Sequence, residues 1–343
     1  MPKSGDWDSR IGRRVRLRDL HILFAVVQHG SMAKAGAHLG MSQSAVSQAI
    51  AALEHALEVC LLDRSPHGVE PTMYGLALVR RGEAAFDELR SGVKDIEFLA
   101  DPQVGEVRIA ATQTLAAGFL PATIEAFSRH YPKVKLNVSE VTTTVRGYAP
   151  LYERTADLIL TLSTRPLEAA LTEDLRAEVL FHERICLAAA KQSRWARRRK
   201  IGLADLVDAP LISPPSDTPG GATVTEAFRA AGLPAPLVTV TTFSVHLRNL
   251  LCMRDRFIAV LPVSILQFNP GLYSLKELAL DLPAVQLPAV MVTLKNRTLS
   301  PPVERFIACA RDIASAMDAA PAPRQSPPKT TNSPLPVPPD QSP

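Results

Sequence analysis

Between Ser42 and Leu53 the chain reads SQSAVSQAIAAL. Wound as a helix with Ser42 as N-cap, this stretch turns Val46, Ala49, Ile50 and Leu53 inward and leaves Gln43, Ser44, Ser47 and Gln48 on the opposite face of its first two turns. Those four side chains are hydrogen-bonding and uncharged. A glutamine carboxamide can pair bidentately with adenine N6 and N7, and a serine hydroxyl can meet several base edges. Any solvated helical hairpin also shows polar residues to water, so the chemistry is available here without yet being assigned.

A second group of hydroxyl and amide residues falls where apolar strands end and helices begin. "ATQT", Ala111 to Thr114, closes one strand and opens a helix. "TTT", Thr142 to Thr144, follows the next strand, "SPPSDT", Ser213 to Thr218, follows a later one, and Phe243-Ser244 precedes another helix. In α/β domains small molecules bind at such strand C-termini. Helix capping alone also accounts for serine and threonine at these positions.

Other chemistry finds no support. No Gly-rich phosphate loop, paired carboxylate motif, HExxH or nucleophile elbow occurs. Cys60, Cys186, Cys252 and Cys309 are far apart and lack metal-ligand spacing, which fits reduced cysteines in a cytoplasmic protein. No apolar run approaches the ~20 residues needed to span a bilayer, and the basic N-terminus lacks the apolar segment of a secretory signal. These features predict a protein with no catalytic residues, no cofactor, no metal and no membrane partner.

The elements that must position these residues follow from the patterning. Leu17–Gln28 is an amphipathic helix ending near Gly30, and Ser31 caps a second helix whose Met32, Ala35, Gly36 and Leu39 face the same core. The turn at Gly40-Met41 leads into the polar-faced helix. "LLDRSPHGVEPT" then reads as a short hairpin, or wing. Helix, tight turn, helix and wing is a layout that places the second helix in a DNA major groove. Arg10, Arg13, Arg14, Arg16 and Arg18 could add phosphate contacts. Net charge is +4 and the pI about 8.9, a mild bias that permits nucleic-acid binding without requiring it. Met73–Leu99 forms a long helix with a narrow seam of Phe86, Leu89, Val93, Ile96 and Leu99, suited to a single partner helix. After Gly105, strand-helix alternation through "VRIAA", "VKLNVSEV", "ADLILTL", "RICLAAA", "LVTVTT" and "FIAVLP" predicts parallel α/β sheets in two small lobes. Thr223 and Glu226 read as a capping-box pair. The basic run "KQSRWARRRK", Lys191 to Lys200, reads as a solvated loop, with a second nucleic-acid contact as the competing possibility. Residues 1–15 and the proline-rich 319–343 are expected to be disordered.

Over Leu17 to Ser65 the chain resembles the N-terminal domain of the LysR-type transcriptional regulators. The resemblance is carried by Leu20, Phe24, the "HGS" of His29–Ser31, Ala35, Leu39, "SQSAVS" at 42–47, Ile50, Leu53-Glu54, Leu57, Leu61 and Arg64-Ser65. It continues more loosely to about residue 315 through "GFLPATIEAFSRHYP" and "AFRAAGLP". It implies an α+β multidomain chain: a winged helix-turn-helix over 16–72, a dimerising linker helix over 73–101, and a two-lobed α/β effector domain similar to periplasmic binding proteins over 105–318. Lobe I would take residues 105–181 and 286–318, and lobe II residues 182–285. It makes Ser31, Ser42, Gln43, Ser44, Ser47, Gln48, Arg64 and Ser65 candidates for DNA contact, with Gln48 standing where the family often has arginine. It makes Thr112, Gln113, Thr114, Thr143, Thr144, Ser213, Pro214 and Ser244 candidates for effector contact. The implied partners are double-stranded operator DNA, a small-molecule effector, a second copy or three more of the chain, and RNA polymerase. An architectural DNA binder without a ligand, and an enzyme on a periplasmic-binding-like fold, are the alternatives.

Overall fold

The computed structural model describes residues 14–65, 68–141, 147–163, 174–268, 273–280 and 286–318. The expectations for both tails, apart from Arg14 and Val15, lie outside these residues, as do those for Thr143 and Thr144. Contacts divide the chain into two compact units, residues 1–102 with Arg297–Ser300, and residues 103–296 with 301–343.

The first unit opens with α1 (Leu17–His29), α2 (Met32–Leu39) and α3 (Gln43–Leu57). Leu20, Leu23, Val26, Ala35, Val46, Ile50 and Leu53 close a single core between them. Strands β1 (Leu62–Ser65) and β2 (Gly68–Pro71) pair antiparallel as the wing, with Arg64 opposite Val69. Helix α4 (Met73–Ala100) follows, capped by Thr72, whose Oγ1 accepts the Gly75 N–H at 3.1 Å. Phe86 packs edge-on against Phe24 of α1. Leu89, Val93, Ile96 and Leu99 are each at least 50% exposed, so in one chain the rest of the seam is uncovered.

The second unit is built on one nine-stranded sheet. Its elements are β3 (Gly105–Ala111), α5 (Gln113–Ala117), α6 (Phe119–His130), β4 (Val134–Glu140), α7 (Ala149–Tyr152), β5 (Leu158–Leu162), β6 (Leu175–Ala190), β7 (Leu211–Ser213), α8 (Pro219–Ala230), β8 (Val238–Thr241), α9 (Val245–Cys252), β9 (Ile258–Pro262), α10 (Val263–Phe268), β10 (Leu275–Glu277), β11 (Gln286–Leu294) and α11 (Pro301–Asp318). The strand order is β4-β3-β5-β11-β6-β9-β7-β8, with β10 also on β6. Strands β4, β3 and β5 run parallel at one end, as do β8, β7 and β9 at the other.

The sheet is nevertheless mixed, not parallel throughout. β11 lies antiparallel to both β5 and β6, and β6 antiparallel to β9. β6 is 16 residues long, so "RICLAAA" is only its second half. Its first half pairs with β11 and its second with β9 and β10, which makes β6 the continuous link between the two ends of the sheet. Helix α8 also begins earlier than expected. Its N-cap is Thr218, which accepts the Gly221 N–H, with Pro219 in the first turn; Thr223 lies inside the helix and donates to the Pro219 carbonyl at 2.8 Å. Proline at the first helical position needs no N–H partner and fixes the entry there, so the Thr223–Glu226 pair caps nothing.

Candidate nucleic-acid interface and effector site

The geometry of α2 and α3 is set by small residues. Gly40 ends α2 in the left-handed region at φ +65°. At Gly36 a Cβ would stand 2.7 Å from the Met41 carbonyl oxygen, so only glycine lets the backbones come this close. The Met41 N–H donates to the Gly36 carbonyl at 2.8 Å and fixes the turn. Ser31 and Ser42 cap the two helices by accepting the N–H groups of Lys34 (3.5 Å) and Ala45 (3.2 Å).

On α3, Val46, Ile50 and Leu53 are fully buried, while Gln43, Ser44 and Gln48 are exposed and Ser47 half-buried. The Ser44 hydroxyl lies 3.0 Å from that of Ser42. From the wing, Arg64 Nη1 donates to Ser47 Oγ at 3.5 Å, and its Nη2 stands 3.9 Å from Glu54. Ser65 Oγ donates to the Gly68 carbonyl across the hairpin. Ser42, Gln43, Ser44, Ser47, Gln48 and Arg64 therefore come together on one face, and the positive N-terminal end of α3 points the same way. Glu54 positions this assembly: its Oε1 accepts the N–H groups of Leu61 (2.8 Å) and Leu62 (3.2 Å), tying the base of the wing to α3. Sequence reasoning matched Glu54 to the family without seeing this role.

In the second unit Thr112 and Gln113 sit at the C-terminal end of β3. Thr112 occupies the N-cap position of α5 but makes no cap hydrogen bond, and its Oγ1 is buried without a partner. Gln113 spans the domain: Nε2 donates to Glu140 at the end of β4 (2.9 Å), and Oε1 accepts the Val245 N–H at the start of α9 (3.1 Å). Thr114 is half-buried on α5, and its carbonyl accepts the Gly118 N–H. Ser244 caps α9 by accepting the Leu247 N–H. Ser213 and Pro214 are buried at the end of β7, where the Ser213 hydroxyl donates to the Pro214 carbonyl. Gln113 and the start of α9 are thus joined; Ser213 and Pro214 make no hydrogen bond to them.

Several buried polar groups escaped sequence reasoning. Glu183 on β6 is 1% exposed and accepts the Ser264 and Arg184 N–H groups, each at 3.1 Å. Burial still raises its pKa above the usual carboxylate range. Arg248 and Asn249 are buried on α9. Their signal was present, because both occupy the apolar phase of "VHLRNLLC".

Elsewhere, an open hollow of about 640 Å³ is lined by Arg194, Asp208, Pro210, Leu237, Thr239, Asp255 and Arg256, none of them a candidate effector residue. In the basic run, Trp195 is buried and the arginines around it are exposed, with Arg194 4.6 Å above its ring. Among the described residues no group of three His, Cys, Asp or Glu side chains could hold a metal ion, and no helix is long and apolar enough to cross a membrane. Cys186 and Cys252 are buried thiols, the latter pushed up to about 12, so neither is a nucleophile at neutral pH.

This pairing of a capped helix-turn-helix and wing with a mixed α/β domain defines a class of DNA-binding regulators, and comparison with known proteins agrees. Residues 17–76 match the family described as bacterial regulatory helix-turn-helix protein, lysR family, and residues 100–315 match the LysR substrate binding domain. The chain belongs to the LysR family: it is a LysR-type DNA-binding transcription regulator with an effector-binding domain. It is 27% identical over 308 residues to an uncharacterized HTH-type transcriptional regulator, YfeR of Shigella flexneri, covering 88% of this chain and 96% of that protein. It is 28% identical to the HTH-type transcriptional regulator GbpR of Azospirillum brasilense over 67% of each chain. Its fold is similar to that of the LysR family regulator CbnR (TM-score 0.55, 20% identity, covering 88% and 99% of the two chains). It is likewise similar to full-length OxyR of Pseudomonas aeruginosa (TM-score 0.56, 19% identity, covering 88% and 94%).

Proposed function

We propose that this regulator reads its operator with the Gln43, Ser44, Ser47 and Gln48 face of α3, and that Ser31, Ser42, Arg64 and Ser65 hold the surrounding phosphates. The observation that carries the reading is the wing arginine hydrogen-bonded to Ser47 beside exposed Gln43 and Gln48. Phosphate contacts then set the register, and the carboxamides discriminate between bases. The effector enters the crevice between lobe I, residues 105–181 and 286–318, and lobe II, residues 182–285. There it meets Thr112, Gln113 and Ser244, with Thr114, Ser213 and Pro214 as further lining; Thr143 and Thr144, outside the described residues, are further candidates for contact. It changes DNA occupancy through its differential affinity for two arrangements of a homodimer or homotetramer. The α4 seam joins the copies, RNA polymerase is the downstream partner, and the protein works in the cytoplasm.

The test is binding of the full chain to duplexes from the DNA flanking its gene, set against random duplex over a range of salt. Preference for one flanking segment, surviving at salt that removes random binding, is the expected result. Equal affinity for both at every salt concentration overturns the operator reading.

A further inference from the structure

Helix α9 turns positions 245, 248, 249 and 252 toward the sheet, the i, i+3, i+4, i+7 phase of an amphipathic helix. Val245 and Cys252 are what such a face ordinarily carries. Arg248 and Asn249 are not, yet they are 4% and 0% exposed. Arg248 Nη1 donates to the carbonyl of Val260, while its Nε is buried with no partner. Asn249 is worse served, since neither Oδ1 nor Nδ2 finds a partner. Among the described residues Arg248 makes no ion pair. Burial draws its guanidinium pKa down to about 10. Glu183, a buried carboxylate of the same domain, forms no ion pair with Arg248: its Oε1 accepts the Ser264 and Arg184 N–H groups and its Oε2 is buried without a partner. A buried cation without a counter-ion is strongly unfavourable unless something supplies the negative charge.

The position of the pair says what could supply it. Val260 is the middle residue of β9, one past the last β7–β9 pair. The first N–H of α9 is bonded by Gln113, which begins α5 at the C-terminal end of β3. Helical side chains lean toward their helix N-terminus, so Arg248 leans toward the Gln113 end. The unmet donors thus lie under the helix whose first turn Gln113 ties to the C-terminal end of β3, and strand C-termini are where α/β folds hold ligands.

We propose that Arg248 and Asn249 anchor an oxyanion group of the effector, a carboxylate or phosphate, and that the effector is therefore a small acid. This rests on reading the crevice as the effector site. The guanidinium offers Nε and an Nη N–H as a fork to two anion oxygens, and Asn249 Nδ2 adds a third donor. Gln113 holds the start of α9 with a neutral carboxamide.

The test is thermal melting of the full chain with millimolar succinate, benzoate or glycerol phosphate, each against chloride at equal ionic strength. Succinamide, benzamide and glycerol serve as the uncharged counterparts. At least one oxyanion raises the melting temperature while its uncharged counterpart does not; which one responds separates carboxylate from phosphate. Arg248→Met abolishes that rise and melts no lower than the parent without ligand, because it removes an uncompensated charge. Arg248→Lys, which keeps charge but loses the fork, shifts the response to higher ligand concentration and covers the case in which the Met variant does not fold. Asn249→Leu weakens the response. Failure of every oxyanion to raise the melting temperature, an equal rise with the uncharged counterparts, or an undiminished rise in both Arg248 variants overturns the proposal. A rise with uncharged counterparts that Thr112→Val removes leaves the crevice reading standing while the oxyanion falls. Operator binding of the parent without ligand is measured in parallel, which separates failure of the oxyanion proposal from failure of the operator reading.

Discussion

Gly75 offers a substitution whose sign separates local propensity from packing. It lies in the first turn of α4, its N–H bound by Thr72 Oγ1, and the same hydroxyl donates to the Cys60 carbonyl at 2.8 Å. A Cβ added at Gly75 would stand 2.1 Å from the carbonyl oxygen of Leu61 and 3.1 Å from its carbon. Propensity alone favours Gly75→Ala by about 1 kcal/mol. Against that, the obstacle is backbone, held in place because the Leu61 carbonyl also accepts the Thr72 N–H at 2.9 Å. Relieving the contact needs a retreat on the order of 1 Å, and overpacking of this kind costs ~1–3 kcal/mol before any hydrogen bond at Thr72 is lost, each worth about 1 kcal/mol. The expected outcome is a net destabilisation of about 2 kcal/mol, read as a lower urea midpoint by circular dichroism, with weaker DNA binding because the base of the wing shifts. A raised midpoint would refute the reasoning, since propensity would then outweigh the close approach.

Three further outcomes follow from the same physics. Leu89→Asp sets a carboxylate in the uncovered seam of α4, so sedimentation at micromolar concentration should show a smaller assembly; an unchanged mass rejects the seam as the interface. Thr112→Val removes a hydroxyl that is buried without a partner, so the ligand-free melting temperature should hold or rise, while a reporter needs more inducer; a normal response excludes this hydroxyl from effector binding. Burial holds the Glu183 carboxyl above its ordinary range, so the unfolded chain gives up that proton at lower pH than the folded one, and stability falls as pH rises between the two values. Glu183→Gln keeps an acceptor for the Ser264 and Arg184 N–H groups, and should melt higher than the parent at pH above that window, with the gap closing on acidification; a lower melting temperature throughout would contradict it.

The reading unit was legible in the sequence because what builds it is local. Ser31 and Ser42 lie beside the N–H groups they cap, and Val46, Ile50 and Leu53 repeat at helical spacing within one short segment. The exposure of Gln43 and Gln48 follows from that phase without any tertiary information. The effector domain was less legible for the opposite reason. That β11 runs antiparallel between β5 and β6 depends on partners more than a hundred residues away, and no periodicity records it. The cap of α8 was misplaced because Thr223 and Glu226 have capping-box spacing, while Thr218 followed by Pro219 makes the actual start. The bond from Gln113 to Val245 spans 132 residues and has no local sign. Arg248 and Asn249 did leave one, polar residues on an apolar phase, which periodicity can flag but only burial can interpret.

The central claim is that α3 reads base edges through uncharged carboxamides, and fluorescence anisotropy on the operator tests it directly. Gln43→Ala and Gln48→Ala are compared with the parent on the operator and on random duplex of equal length. Both side chains are exposed, so stability should not change, and each lost bidentate pair should remove about 1–3 kcal/mol of discrimination. The expected result is weaker operator binding with random binding unaltered and the salt dependence preserved. If both variants keep the parent's operator affinity and its preference over random DNA, α3 does not read the sequence and the account is wrong.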